Sequence, residues 1–319
     1  MQKLLDFVDW SSLRESEGTG LTQEQEEFLN KYTEGSWSYN SQTGLVDVEG
    51  SFDCRSERLK TLSGVKFGKV SGSFDCSGNK LTSLEGAPQE VGGDFYCQRN
   101  KLTSLEGAPQ EIRGDFVCYS NSLTSLEGAP QEVGGYFYCS GNKLTSLEGA
   151  PQEIRGDFVC YSNSLTSLEG APQEVGGYFY CSGNKLTSLE GAPREVGKNF
   201  DCSGNKLMTL EGAPREVGGD FLCDAFELSQ GEWNLEGWLN KMKEGDQEVQ
   251  KLILTLLTPE ILNQEIQKDP AGMIMKLKSV WNYPDFEKIK KGLKFPDDFG
   301  DVDRMIKSLN RMDDIKDFI

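Results

Sequence analysis

The stretch at residues 142–193 reads NKLTSLEGAPQEIRGDFVCYSNSLTSLEGAPQEVGGYFYCSGNKLTSLEGAP, and this stretch decides the fold. The same stretch stands 42 positions earlier, at 100–151, without a single change. A block of this size can be copied within a chain when each unit contacts only its sequence neighbours, because no new core is then required. The duplication therefore indicates a repeat protein.

The nine cysteines show the period of the repeat. They stand at positions 54, 76, 97, 118, 139, 160, 181, 202 and 223, so the first interval spans 22 positions and the other seven span 21. Each Cys follows a Phe by two positions, and seven of them precede an Asn by three. Leu stands five and eight positions after each Cys from 54 to 202, and a Val or Ile stands six before each Cys. A fixed period near 21 predicts a short unit stacked into a solenoid.

Side-chain alternation predicts a strand around each Cys. In "DFYCQ", Phe95 and Cys97 face the core, while Asp94, Tyr96 and Gln98 face outward. The Asn three positions after the Cys is expected in the following turn, where its amide satisfies backbone groups of its own coil and the next. The Gly-Ala-Pro segment predicts an extended back side, because Pro donates no backbone hydrogen bond.

The pattern F-x-C-x-x-N-x-L-x-x-L resembles the leucine-rich repeat, L-x-L-x-x-N-x-L. "SGNKLTSLEGAP" resembles especially the short bacterial type, whose convex side is extended rather than helical. The resemblance covers residues 45–228, with about eight units in register. Cys in place of a branched aliphatic, and Gly-Ala-Pro in place of Leu-Pro, depart from the family. With "TGLVDVEG" ahead of it, the chain is also similar to repeat proteins of tailed phages and bacteria, which are recognised by sequence rather than by a shared activity.

The chain divides into three predicted parts. Residues 1–44 form an N-terminal helical cap, 45–230 the solenoid, and 231–319 a C-terminal α-helical domain. In the cap, "DFVDWSSL" and "LTQEQEEFLNKY" predict helices, and Thr22 with Gln25 forms a capping-box pattern. The predicted fold class is therefore a leucine-rich-repeat-like solenoid of parallel β coils between an N-terminal helical cap and C-terminal helices.

Four helix starts are predicted in the C-terminal domain, at Asp246, Thr258, Asp269 and Asp301, because each position offers a capping side chain. The acidic stretch "DDFGDVD" at 297–303 lacks the Gly and the final Glu of an EF-hand, so we interpret it as a loop with a helix cap. Trp233 and Trp238 are expected to pack between the solenoid end and the helices.

Composition excludes several functions. A net charge of −18 would repel nucleic acid and anionic membranes, so neither is a predicted partner. The chain has no His, which removes Ser–His and Cys–His catalytic pairs. It lacks an apolar run of ~20 residues and a secretory signal. We therefore expect a non-enzymatic cytoplasmic protein without a cofactor or metal, located in the host cytoplasm or the virion if a phage encodes it.

Two kinds of periodic column have a structural interpretation. The stacked cysteines are expected to form a buried column of inert thiols. Disulfides between neighbouring coils are geometrically conceivable, but nine is an odd number and a cytosolic protein keeps its thiols reduced. The glutamates that recur in every unit from Glu85 and from Glu90 are expected on solvated surfaces, where they favour solubility, with cation binding as the alternative.

The outward strand positions, at −3, −1 and +1 from each Cys, form the predicted site. They hold seven of the ten tyrosines: Tyr96, Tyr119, Tyr136, Tyr138, Tyr161, Tyr178 and Tyr180. Val117 and Val159 lie among them, and Asp94, Asp115 and Asp157 flank them. The family resemblance implies a concave partner-binding face here, and Tyr is enriched at interfaces. The alternative is that Tyr and Val serve strand propensity and cross-strand pairing.

The main hypothesis is a protein-binding module whose partner carries a basic rim. The second is a structural or assembly protein, such as a phage particle component, in which the solenoid is a spacer. The third is glycan binding by the aromatic face. Some bacterial effectors join short leucine-rich repeats to a helical ubiquitin-ligase domain with a catalytic Cys, but residues 224–319 contain no Cys. The oligomeric state is not predicted.

Overall fold

The chain forms a parallel β-solenoid of about eight turns, preceded by an N-terminal helix and followed by C-terminal helices. This computed structural model describes residues 20–62, 64–228 and 230–316. It confirms the predicted repeat solenoid with a helical cap and a C-terminal helical region. The segment at 6–13, predicted to be helical, lies outside the described residues.

The N-terminal cap consists of α1 (Gln23–Tyr32) and the antiparallel hairpin β1 (Thr33–Asn40) with β2 (Leu45–Asp53). Thr22 accepts from the backbone of Gln25, and the Gln25 side chain accepts from Thr22, so the predicted capping box is confirmed. Phe28 of α1 lies 5.5 Å, between ring centroids, from Phe52, the first Phe of the repeat. The cap therefore covers apolar surface that an open solenoid end would expose. Strand β1 was not predicted.

Each coil carries two short strands, and equivalent strands stack into two parallel ladders, of which the first is continuous and the second is interrupted once, between its fourth and fifth strands. The Phe ladder consists of β2, β4 (Phe74–Asp75), β6 (Phe95–Tyr96), β8 (Phe116–Val117), β10 (Phe137–Tyr138), β12 (Phe158–Val159), β14 (Phe179–Tyr180), β16 (Phe200–Asp201) and β18 (Phe221–Leu222). The Glu ladder consists of β3 (Phe67–Val70), β5 (Glu90–Val91), β7 (Glu111–Ile112), β9 (Glu132–Val133), β11 (Glu153–Ile154), β13 (Glu174–Val175), β15 (Glu195–Val196) and β17 (Glu216–Val217). The Phe ladder contains the predicted strand, whereas the Glu ladder was not predicted.

Phe lies opposite Phe along the Phe ladder, and Glu lies opposite Glu from β5 to β9 and from β11 to β17, whereas β3 places Lys69 opposite Glu90. The Phe137 ring lies 5.2 Å from that of Phe116 and 5.3 Å from that of Phe158. Inside the solenoid these rings meet the buried Leu columns and the Val or Ile column of the Glu ladder. The core is thus a set of one-residue columns, each continued by the next coil.

The cysteine column lies in this core as predicted. All nine cysteines are free thiols, eight are buried, and Cys223 at the last coil is half-buried. Burial raises the pKa of the Cys160 thiol well above its usual value, because a thiolate there would be desolvated. The column therefore consists of neutral, small hydrophobic groups.

Asparagines close the turn after seven of the nine Phe-ladder strands, from β4 to β16. Nδ2 of Asn142 donates to the Cys139 carbonyl of its own coil at 3.0 Å and to the Cys118 carbonyl of the preceding coil at 3.2 Å. Its Oδ1 accepts the backbone N–H of Leu123, also in the preceding coil, at 3.1 Å. The predicted backbone role is confirmed, although the second coil involved is the preceding one.

The C-terminal end of the solenoid is covered by β19 (Glu227–Leu228), which pairs antiparallel with β18, and by the two tryptophans. The Trp233 ring stacks on Phe221 at 4.0 Å, its Nε1 donates to the Pro214 carbonyl at 3.0 Å, and Trp238 lies 5.5 Å from it. The expected packing of both tryptophans is confirmed. In the described residues, no helix combines the length and apolar character that membrane crossing requires.

In the described part of the C-terminal region, six α-helices follow: α2 (Leu235–Glu244), α3 (Gln247–Leu256), α4 (Pro259–Lys268), α5 (Pro270–Leu277), α6 (Glu287–Lys290) and α7 (Val302–Lys316). Asp246, Thr258 and Asp269 cap α3, α4 and α5 as predicted. Asp301 accepts from the Arg304 backbone at the start of α7, and a 3₁₀ helix at Asp297–Phe299 precedes it. The acidic stretch is therefore a loop with a helix cap, whereas α2, capped by Asn234, was not predicted.

Candidate functional site

The outward side of the Phe ladder has an alternating composition. At the position before each Cys, the register places Tyr96, Val117, Tyr138, Val159 and Tyr180 side by side. Asp75 precedes this row and Asp201 follows it. We call this row, with the neighbouring tyrosines and aspartates at −3 and +1, the tyrosine face. It therefore brings all ten predicted site residues onto one side of the solenoid.

The two valines lie lower on this face than the tyrosines. Val117 and Val159 are each only 5% exposed, yet they do not belong to the hydrophobic core inside the solenoid. Because they point outward between tyrosine-bearing strands, the flanking tyrosines cover them. Tyr161 at 45% and Tyr136 at 38% are the most exposed tyrosines of the face, and the other five are half-buried. The face thus has aromatic ridges with aliphatic floors between them.

Tyrosines pair within a coil, and the pair recurs two coils later. The rings of Tyr136 and Tyr138 are 5.8 Å apart and tilted by 48°, whereas those of Tyr178 and Tyr180 are 5.3 Å apart and nearly parallel at 9°. The ammonium of Lys198 lies 4.8 Å from the Tyr178 ring centroid. Such ring pairs immobilise each other, so the face loses little side-chain entropy when it is covered.

The aspartates on the tyrosine face have a structural role that sequence reasoning missed. Oδ1 of Asp94, Asp115 and Asp157 accepts the backbone N–H of the residue 21 positions later, at 2.8, 2.8 and 2.9 Å respectively. The sequence signal for this role is a glycine 20 positions after each of these aspartates. A Cβ on Gly135, for example, would lie 2.1 Å from Oδ1 of Asp115, so only glycine leaves room for the carboxylate. Oδ1 therefore links neighbouring coils by a hydrogen bond, while the carboxylate still places a negative charge at the edge of the face.

Burial raises the pKa of Tyr96, Tyr138 and Tyr180, so these three phenols stay protonated at neutral pH and can donate hydrogen bonds. Burial, with the hydrogen bond that the phenol donates to Asp94 at 2.9 Å, raises the pKa of Tyr96 to about 12. Burial also raises the pKa of Tyr138, and the nearby carboxylates of Asp157 and Asp115 raise it further. Burial likewise raises the pKa of the Asp115 carboxyl. In the described part of the chain, the hydroxyls of Tyr138 and Tyr180 have no hydrogen-bond partner.

The glutamate columns lie elsewhere and are exposed throughout, as expected for solvated surfaces. They are Glu85, Glu106, Glu127, Glu148, Glu169, Glu190 and Glu211, and Glu90, Glu111, Glu132, Glu153, Glu174, Glu195 and Glu216. A shallow groove of about 440 Å³ runs over the last four strands of the Glu ladder. Within the described ranges, no three Cys, Asp or Glu side chains converge into a group that could hold a metal ion.

Neither protein-family models, nor curated proteins, nor solved structures give a match to this chain.

Proposed function

We propose that the chain is a non-enzymatic protein-binding module that uses the tyrosine face. The observation that carries the proposal is the row of alternating Tyr and Val, in which Val117 and Val159 are buried outside the core. Strand propensity accounts for single tyrosines, but a contiguous aromatic surface over five coils is larger than propensity requires. Tyr is enriched among the few residues that supply most of the binding energy at protein interfaces.

The charge around the face indicates the chemistry of the partner. Asp94, Asp115 and Asp157 lie along one side of the tyrosine row, and Asp75 and Asp201 lie at its ends. A partner with Lys or Arg around an apolar centre would complement this arrangement. Because exposed charge pairs are screened by salt, we expect the association rate to fall with ionic strength.

Two finer assignments belong to this proposal. The resemblance to leucine-rich repeats supports it, because in that family the strand face is the usual partner surface and is concave. A cytoplasmic location is supported by nine free thiols, which are typical of a reducing compartment. Association with a tailed-phage particle is supported by the sequence resemblance alone.

The test compares paired substitutions on the two ladders. Full-length protein with Tyr138→Ala and Tyr180→Ala is compared with Glu132→Ala and Glu174→Ala, which change exposed residues on the Glu ladder. Each form is used for affinity capture from lysate with quantitative mass spectrometry. We expect specifically captured proteins to be lost by at least about tenfold with the tyrosine variant only. Unchanged capture by the tyrosine variant would reject the proposal.

A spacer in a larger assembly is the second candidate, supported by the exact duplication and by the covered solenoid ends. Deleting residues 142–183 joins Gly141 to Asn184 and keeps the repeat in register. A spacer should retain partner capture with a shorter reach, whereas a recognition face should lose affinity. Glycan binding, the third hypothesis, predicts Tyr138-dependent hits on a glycan array.

A further inference from the structure

The tyrosine face contains the same Tyr–Val–Tyr arrangement twice, and we call the space above each valine, between its two flanking tyrosines, a pocket. Pocket A has Val117 as its floor and Tyr96 and Tyr138 as its walls. At its two ends the neighbouring outward positions are occupied by Asp115 and Tyr119.

Pocket B repeats this arrangement one duplicated block later. Val159 is its floor, Tyr138 and Tyr180 are its walls, and Asp157 and Tyr161 occupy its ends. Tyr138 is therefore a wall shared by both pockets. An occupant that fits pocket A can present the same group to pocket B, provided that its own repeat matches the distance between them.

The distance between the pockets selects the backbone of the occupant. Stacked strands are ~4.8 Å apart, so pockets two coils apart are separated by ~9.6 Å along the solenoid. A polyproline II helix has three residues per turn and rises ~3.1 Å per residue, so it presents the same side every ~9.3 Å. An extended strand repeats its side every ~6.6 Å and an α-helix every ~5.4 Å. Of these three conformations, polyproline II matches the pockets.

The chemistry of the pockets agrees with this geometry. Proline-rich segments bind grooves lined by aromatic residues, and their pyrrolidine rings fit between such rings. The carbonyls of polyproline II have no internal hydrogen bonds. In the described residues the hydroxyls of Tyr138 and Tyr180 are without a partner, so they can donate to those carbonyls. Asp115 and Asp157 place a carboxylate beside each pocket, which favours a basic residue next to each proline.

We propose that the tyrosine face binds a proline-rich segment in the polyproline II conformation, with a proline in each pocket and a Lys or Arg beside each proline. The inference rests on the proposed protein-binding function and names the chemistry of the partner. It explains why the unit of duplication is two coils long: one block adds one pocket in register with the next turn of the ligand.

The direct test is a titration of the full-length protein with a fluorescent peptide that repeats the sequence KPS four times. The control peptide has the same composition in an order in which no two prolines are three apart. We expect binding of the repeated peptide to be at least about tenfold tighter than that of the control, because only the former presents prolines to both pockets. Equal binding, or no binding of either peptide, would overturn the inference.

Variants locate the binding on the face. Tyr138→Ala, which removes the shared wall, is expected to weaken binding more than Tyr180→Ala, which affects pocket B alone. Deletion of residues 142–183 keeps pocket A and should lower the affinity to that of a single pocket. The matched variant Glu174→Ala should stay within about twofold of the unmodified protein. Equal affinities for all variants would place any peptide binding elsewhere and overturn the inference.

The two proposals fail separately. If neither peptide binds but Tyr138→Ala with Tyr180→Ala abolishes capture of a cellular protein, the protein-binding function stands and the proline-rich ligand is wrong. If the tyrosine variant changes neither capture nor peptide affinity, both are wrong.

Discussion

The two ladders of the solenoid have nearly the same backbone and very different surfaces. In both, short parallel strands stack with one strand per coil, although the Glu ladder is interrupted between β9 and β11. On the Glu ladder the outward residue is Glu in each strand from β5 to β17. On the Phe ladder the outward residue changes from Asp75 to Tyr96, then alternates between Val and Tyr, and returns to Asp201. The same scaffold therefore carries one uniform surface and one graded surface.

This difference indicates that the Glu ladder serves solvation and that the Phe ladder is suited to recognition. A uniform column of exposed carboxylates needs no particular neighbour, because water and salt screen its repulsion. A row that buries valines under tyrosines requires specific neighbours on both sides, and it leaves an apolar surface that the chain does not need for its own stability. We therefore place solvation on the Glu ladder and propose binding on the Phe ladder.

The largest difference between the ladders is expected in the free energy of unfolding that is lost when an inward side chain is truncated to Ala. Phe158 is fully buried between two stacked Phe rings, whereas Val175 fills the equivalent inward position on the Glu ladder. Phe158→Ala should lower the free energy of unfolding by about 3–5 kcal/mol, and Val175→Ala by about 2 kcal/mol, because the smaller side chain leaves a smaller cavity. Urea denaturation followed by circular dichroism measures both. Equal losses would show that the two ladders contribute alike to the core.

The next effect concerns the turn that follows the Phe ladder. Asn142→Ala removes an amide that bonds the carbonyls of Cys118 and Cys139 and the N–H of Leu123. Backbone groups left without a partner should lower the free energy of unfolding by about 3 kcal/mol. The matched control, Lys143→Ala, changes the adjacent exposed residue and should cost less than about 0.5 kcal/mol. Similar denaturation midpoints for the two variants would contradict the role of the Asn.

The pH dependence of the free energy of unfolding is expected to differ between the ladders, with a smaller effect per residue. A buried thiol follows each strand of the Phe ladder from β4 to β16, and burial raises its pKa, whereas the inward residues of the Glu ladder from β5 to β17 do not ionise. A raised folded-state pKa contributes stability that is complete below the unfolded pKa of about 8.5 and is lost as pH rises above it. At pH 9 the loss should be ~0.8 kcal/mol per buried thiol.

Denaturation midpoints between pH 7 and pH 9.5 measure this loss. Cys160→Ala should reduce the slope at alkaline pH, because it removes one of the ionising groups from the unfolded chain. A slope that is identical in the variant and the unmodified protein would contradict the assignment of the alkaline loss to the thiols.

The period of the cysteines was sufficient to predict the Phe ladder, the buried thiols and the Asn turn, because each depends on contacts that recur at a fixed interval. The Glu ladder could not be predicted, because each of its strands from β5 to β17 has one inward Val or Ile followed by Gly or Arg, whereas the Phe-x-Cys alternation predicts a strand on the Phe ladder. Strand β1 was missed for a different reason. Its sequence, TEGSWSYN, contains turn-forming residues, and it becomes a strand only through pairing with β2.

The tyrosine residues of the candidate site could be predicted from the sequence, but the burial of the valines between them could not. The burial of Val117 and Val159 depends on side chains of the neighbouring coils, which only the register between coils brings beside them. The same holds for Asp115, whose carboxylate was predicted to face a partner. One of its oxygens accepts the N–H of Tyr136 in the next coil, so part of the predicted binding charge also holds the solenoid together.

The central claim, that the tyrosine face is the binding surface, is tested most directly by site-specific photo-crosslinking. Tyr161, at 45% exposed the most accessible tyrosine of the face, is replaced by p-benzoylphenylalanine, and Glu174 on the Glu ladder is replaced in the same way in a second sample. We predict a discrete crosslinked product with a protein from lysate at position 161 only. The repeated proline-rich peptide should reduce the yield of that product. Equal crosslinking from both positions, or a product from position 174 alone, would contradict the account.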